Sequence, residues 1–120
     1  MAMDVLDALR AMRPPFAMHE TDLHRLIGAQ LEACGLFGRH EALLAPGSRI
    51  DFLVGDVGIE IKNGKPNPTT LKAQLTRYAG SELIGCLIVV SWRSVRIPEA
   101  IRGKPVYPLV LSQLWGVSLP

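Results

Sequence analysis

Asp51, Glu60 and Lys62 are the residues of this chain whose types and spacing point most directly to chemistry. Over Ser48–Val54, Ile50, Phe52 and Val54 alternate with Arg49, Asp51 and Leu53. Over Val57–Lys62, Val57, Ile59 and Ile61 alternate with Gly58, Glu60 and Lys62. A period of two marks a strand with two unlike faces, and the intervening Gly55-Asp56 is a Gly-X loop suited to a hairpin. Pairing Val54 with Val57 sets Asp51 opposite Glu60 and Arg49 opposite Lys62, with all four on one face. Opposed side chains sit about 4.5–5.5 Å apart at Cβ, so the two carboxylates repel unless a cation lies between them. Oxygen ligands select a hard, partly hydrated ion such as Mg²⁺ or Mn²⁺. The Lys62 ammonium shares that space and can stabilise a charged oxygen or position a metal-bound water. The plainer alternative is an exposed face whose acids and bases pair off as surface salt bridges.

The elements that must position these residues can be read on either side. Val5, Leu6, Leu9 and Met12 predict a helix over 3–12, stopped by Pro14-Pro15, which looks like an accessory element. Glu20–Cys34 predicts a longer helix with Gly35 at its end. Leu23, Ile27, Leu31 and Cys34 form its inner stripe, Glu20 heads that stripe, and His24 lies at its edge. Glu20 there either favours the positive end of the helix dipole or points inward at a cation. Arg39–Ala45 reads as a strand ending in the Pro46-Gly47 turn. After the hairpin, Asn67 caps a helix with Pro68 at its first position. This helix is expected over 69–80, with Leu71, Leu75 and Tyr78 inward and Gln74 one turn before Tyr78. The apolar run 83–92 reads as a strand buried on both faces. The segment 106–111 is expected as an edge strand, because Pro108 cannot donate to a ladder. The apolar tail Leu114–Leu119 is expected to pack back on the domain or to form an oligomer contact.

The spacing Asp51-x8-Glu60-x-Lys62 across a hairpin resembles the signature of the PD-(D/E)XK nuclease superfamily, with Ile50 standing where the motif has proline. Gln74-Leu75-Thr76-Arg77-Tyr78 resembles the additional Gln-x-x-x-Tyr motif of its RecB-like branch. The order helix, three strands, helix, strand over about 19–92 is similar to the family's αβββαβ core. The resemblance implies an α/β, restriction-endonuclease-like fold with a mixed central sheet flanked by helices. It also implies a metal-dependent nuclease that hydrolyses phosphodiester bonds in DNA. By the same resemblance Asp51 and Glu60, helped by Glu20 and the Ile61 carbonyl, hold Mg²⁺ or Mn²⁺. Lys62 is the catalytic lysine, and Gln74 and Tyr78 brace the site or contact the strand. Arg49, Lys65, Lys72, Arg77 and Arg93 are the candidates for phosphate contacts. Two alternatives stand beside this one. The first is a homodimeric endonuclease resolving four-way or otherwise branched DNA, since one small domain offers a single active centre. The second is a DNA-binding or assembly module that has the fold and cuts nothing. A separate targeting protein is a natural partner for a domain of this size.

Composition bounds these readings. A chain of 120 residues, 48% apolar and 20% charged, fits one globular domain, and its net charge of +2 permits an anionic partner without demanding one. Cys34 and Cys86 share no metal-ligand spacing and are expected as reduced core thiols of a cytoplasmic protein. No basic, long apolar leader opens the sequence, which argues against secretion, and no apolar run is long enough to span a bilayer. His19 and His24 would point about 140° apart on a helix and make no ligand pair, and His40 stands alone. No Gly-x-Ser-x-Gly elbow or phosphate-binding loop competes with the hairpin.

Overall fold

A computed structural model describes residues 1–116. It is an α/β domain in three layers. A six-stranded mixed sheet of order β1-β2-β3-β4-β6-β5 carries α1 and α2 on one side and α3 on the other. The elements are α1 (Ala2–Arg10), α2 (Glu20–Ala33), β1 (Arg39–Ala45), β2 (Ser48–Val54), β3 (Val57–Lys62) and α3 (Pro68–Ala79). These are followed by β4 (Cys86–Ser91), β5 (Ala100–Ile101), β6 (Lys104–Val110) and the single turn α4 (Leu111–Leu114).

Local chemistry sets most of these boundaries. The α2 helix ends where Gly35 takes φ +73°, with Leu36 N–H donating to Leu31 O at 2.8 Å and Gly35 N–H to Glu32 O at 3.0 Å. That double closure satisfies the last carbonyls and needs a residue that tolerates the left-handed region. Cys34 is the cap of this helix and is exposed, so it is not the core thiol expected of it; the inward stripe has ended by that turn, and only Cys86 is buried. At the start of α3, Asn67 Oδ1 accepts from Thr69 N–H at 2.9 Å and Thr70 N–H at 3.1 Å, with Pro68 following the cap.

The β2–β3 hairpin pairs antiparallel as Val54↔Val57, Leu53↔Gly58 and Phe52↔Ile59. β3 then runs parallel to β4 through the α3 crossover, from Val57↔Cys86 to Lys62↔Ser91. All six residues of β4 are buried, as a continuous apolar run in the sheet centre should be. β6 lies between β4 and the two-residue β5, but β5 covers only its start, so the segment from Val106 on pairs with β4 alone and forms an edge as expected. Pro108 is tolerated because β5 pairs only with Lys104 and Pro105, so its missing N–H faces no neighbour. The chain turns into α4 at Leu111, where strand was expected. Trp115 packs back on the domain, its Nε1–H donating to Pro14 O at 3.0 Å; the expectation for 117–119 lies outside the described residues.

One irregularity matters for function. Phe52 and Val54 face the α1–α2 side, and Leu53 faces α3, as alternation requires; Ile50, however, also faces α3. The alternation therefore breaks between Ile50 and Phe52, at Asp51. β1 does the same opposite it: His40 stacks on Phe52, Ala42 lies in the α3-side core, and Glu41 between them takes φ +52°. A non-glycine residue in the left-handed region turns the strand locally and changes which face follows. Gly58 makes room for the displaced Ile50, since a Cβ there would stand 2.6 Å from Ile50 Cδ1 and 2.7 Å from Ile84 Cδ1.

Candidate active site

The break at Asp51 opens the hairpin where its chemistry lies. The paired rungs end at Phe52↔Ile59, and the Asp51 carboxylate, not a main-chain oxygen, takes the next free amide: Ile61 N–H donates to Asp51 Oδ2 at 2.7 Å. The expected Asp51–Glu60 rung is therefore absent. The two acids are nevertheless close enough for the Asp51 charge to act on the Glu60 carboxyl. Glu60 is only 4% exposed. Lys62 Nζ sits 3.1 Å from Glu60 Oε2, and Tyr78 Oη lies 3.3 Å from Glu60 Oε1. Burial first, and the Asp51 charge second, push the Glu60 carboxyl up to about 7, with Lys62 opposing. Burial and the neighbouring Asp51 charge together outweigh the one ammonium beside it.

On the α3 side this site is closed. Tyr78 Oη also lies 2.8 Å from Arg49 O, and Gln74 Nε2 donates to it at 2.9 Å. Gln74 and Tyr78 thus brace Glu60 and the start of β2. Burial, and then the Glu60 charge, keep the Tyr78 phenol protonated well above its ordinary range.

On the α2 side it is open. A cleft of about 770 Å³ is lined by Glu20, His24, Phe37, His40, Asp51 and Phe52 among others. His24 Nε2 stands 3.9 Å from Asp51 Oδ2 and 3.9 Å from Glu20 Oε1, is buried, and has no hydrogen-bond partner. Glu20 itself is 62% exposed at the cleft mouth. Among the described residues, no three His, Cys, Asp or Glu side chains gather closely enough to form a ready metal cage. The residues still fit a divalent ion. Donor atoms 3.9 Å apart can share one, because each needs to stand only about 2.1 Å from it, and the orphaned nitrogen stands at that distance from an oxygen of each acid.

The basic candidates are dispersed. Arg49, Lys65, Lys72, Arg77 and Arg93 are all exposed, and Arg77 lies 5.8 Å from the Tyr78 ring centroid. Arg49 does not join the acids: what its residue gives the site is its carbonyl, held by Tyr78. Ile61 enters through its amide.

His24 and His40 are the residues that sequence reasoning passed over. They meet in space, His24 Nδ1 lying 3.1 Å from His40 Nε2. The available signal was the place of His24 beside the inward stripe that Glu20 heads. His40 gave none, because the contact depends on how β1 sits against α2. Among the described residues no helix is long and apolar enough to cross a membrane. No protein-family model, curated protein or solved structure matches this chain. The functional reading therefore rests on the residues themselves.

Proposed function

We propose that this domain is a metal-dependent nuclease with a restriction-endonuclease-like core, hydrolysing phosphodiester bonds in DNA. The observation that carries the reading is the company kept by Glu60: a buried carboxyl beside Asp51, with the Lys62 ammonium 3.1 Å away, at the point where the hairpin opens. Asp51, His24 and Glu20, with the Ile61 carbonyl, would hold Mg²⁺ or Mn²⁺ on the α2 side; Glu60, whose oxygens meet Lys62 and Tyr78 on the α3 side, would join them only by giving up those contacts. An imidazole among the ligands favours Mn²⁺ relative to an all-oxygen site. When bound, the ion supplies Lewis acidity and an acidified water.

The chain's own residues do the remainder. Lys62 projects from the last position of β3, where its ammonium can meet charge growing on the phosphate. Glu60 anchors that ammonium, and Tyr78 and Gln74 keep Glu60 from turning away. The cleft on the α2 side gives a phosphate access to Asp51. Arg49, Lys65, Lys72, Arg77 and Arg93 lie on the surface for backbone contacts, so binding weakens as salt rises.

The test incubates the protein with labelled single-stranded, duplex and four-way-junction DNA, in Mg²⁺, Mn²⁺ or EDTA. Cleavage is expected only with a divalent ion, and at lower concentrations of Mn²⁺ than of Mg²⁺. Asp51→Asn and Lys62→Ala should each lower kcat by about 10²–10³-fold. Cleavage confined to the junction by a dimeric species selects the resolving homodimer, and binding without cleavage selects the non-catalytic module. Activity that survives EDTA and both substitutions rejects the reading.

A further inference from the structure

His24 faces the acids with one ring nitrogen and meets His40 with the other. His40 Nε2 lies 3.1 Å from His24 Nδ1, and the two rings meet edge to face with centroids 5.3 Å apart and planes at 64°. His40 is in turn steadied by Phe52, on which it stacks at 4.6 Å between centroids with planes at 23°. In a hydrogen bond between two neutral imidazoles one nitrogen carries the hydrogen and the other accepts it. That choice decides what His24 shows the cleft. If His24 Nδ1 donates, Nε2 presents a lone pair toward Asp51 and Glu20; if His40 donates, Nε2 carries the hydrogen instead.

The surroundings of Nε2 favour the lone pair. The nitrogen is buried and unbonded, with a carboxylate oxygen of Asp51 and one of Glu20 each 3.9 Å away. A buried N–H would gain a charge-assisted hydrogen bond by drawing either acid in, yet both stay beyond hydrogen-bond length. A lone pair has no use for an acid alone and can join both acids only through a cation.

We infer that His40 is a positioning residue. It accepts the Nδ1–H of His24 and so holds His24 in the tautomer whose Nε2 faces Asp51 and Glu20 as a ligand. The identity of the ion rests on the nuclease reading; the His24–His40 bond does not. Histidines that ligate an ion through one nitrogen generally donate the other N–H to a fixed acceptor, and losing that acceptor costs about 10–100-fold in ion affinity or activity.

The experiment reads the tautomer directly, by long-range ¹H–¹⁵N correlation of the imidazole nitrogens in the metal-free protein at alkaline pH. Titration calorimetry with Mn²⁺ accompanies it. In the parent protein His24 should carry its hydrogen on Nδ1. His40→Phe, which keeps a ring against Phe52 but offers no acceptor, should move His24 toward the Nε2–H form and weaken Mn²⁺ binding by about 10–100-fold. His40→Gln, whose Oε1 can accept, should restore the Nδ1–H form and most of the affinity. The proposal is overturned if His24 carries hydrogen on Nε2 in the parent protein, or if His40→Phe leaves tautomer and affinity unchanged. Should the parent protein bind no Mn²⁺, the metal-site reading fails, while the tautomers of the parent and His40→Gln still decide the role of His40. Those two proteins also suffice if His40→Phe does not fold.

Discussion

The two sides of the Asp51–Glu60 pair are built on opposite principles. On the α3 side the polar groups bond one another: Gln74 bonds Tyr78, and Tyr78 reaches both Arg49 O and Glu60. On the α2 side His24 Nε2 is buried without a partner, near two acids that stay 3.9 Å away. The contrast teaches which side holds and which side receives. Satisfied networks rigidify, whereas an unsatisfied buried polar atom costs stability and persists at places kept for a ligand.

The largest effect that can break this comparison is a pH dependence at Glu60. The folded carboxyl keeps its proton up to about 7, against an ordinary value of 4.5. Between those values the unfolded chain binds fewer protons than the native one, so stability falls as pH rises through the window and levels off above it. The loss should be about 3 kcal/mol in the metal-free protein, measured by urea unfolding across this range. Glu60→Gln should remove most of the slope. A flat profile in the parent protein would mean that Glu60 is not the poorly compensated group described here.

A smaller effect tests the closed side. Tyr78→Phe removes the hydroxyl that three polar groups share, and should cost about 1–3 kcal/mol of unfolding free energy, because partners are left buried and unpaired. A cost near zero would show that the network is not closed.

The smallest effect belongs to the open side. His24→Leu removes a buried nitrogen that bonds nothing together with one exposed hydrogen bond to His40, so its cost in unfolding free energy should be about 1 kcal/mol or less, below that of Tyr78→Phe. The same variant should lose affinity for Mn²⁺. If His24→Leu proves as destabilising as Tyr78→Phe, the two sides are alike and the distinction falls.

Much of this architecture was legible in the chain because its signals are local. β1, β2 and β3 fall where alternation and turn residues put them, and Asn67 caps α3 through a bond to its immediate successors. Gln74 and Tyr78 meet because four residues make about one helical turn. What was not legible needed distant partners. β5 is two residues long and exists only through its pairing with β6. Cys34 looked like stripe but lies at the cap, where the helix has stopped facing the core.

The sequence alone determined the pairing of the hairpin next to its turn, from Val54↔Val57 to Phe52↔Ile59, and the order of the acids and the lysine along it, because period-two patterning and a two-residue turn act within a dozen residues. Only the tertiary structure decided that the alternation breaks at Asp51, that its carboxylate caps Ile61 in place of a strand rung, and that His24 and His40 meet. Those outcomes depend on a left-handed residue in the neighbouring strand and on how α2 lies across the sheet. Such contacts between chain-distant groups are set by packing, on which local propensity has no hold.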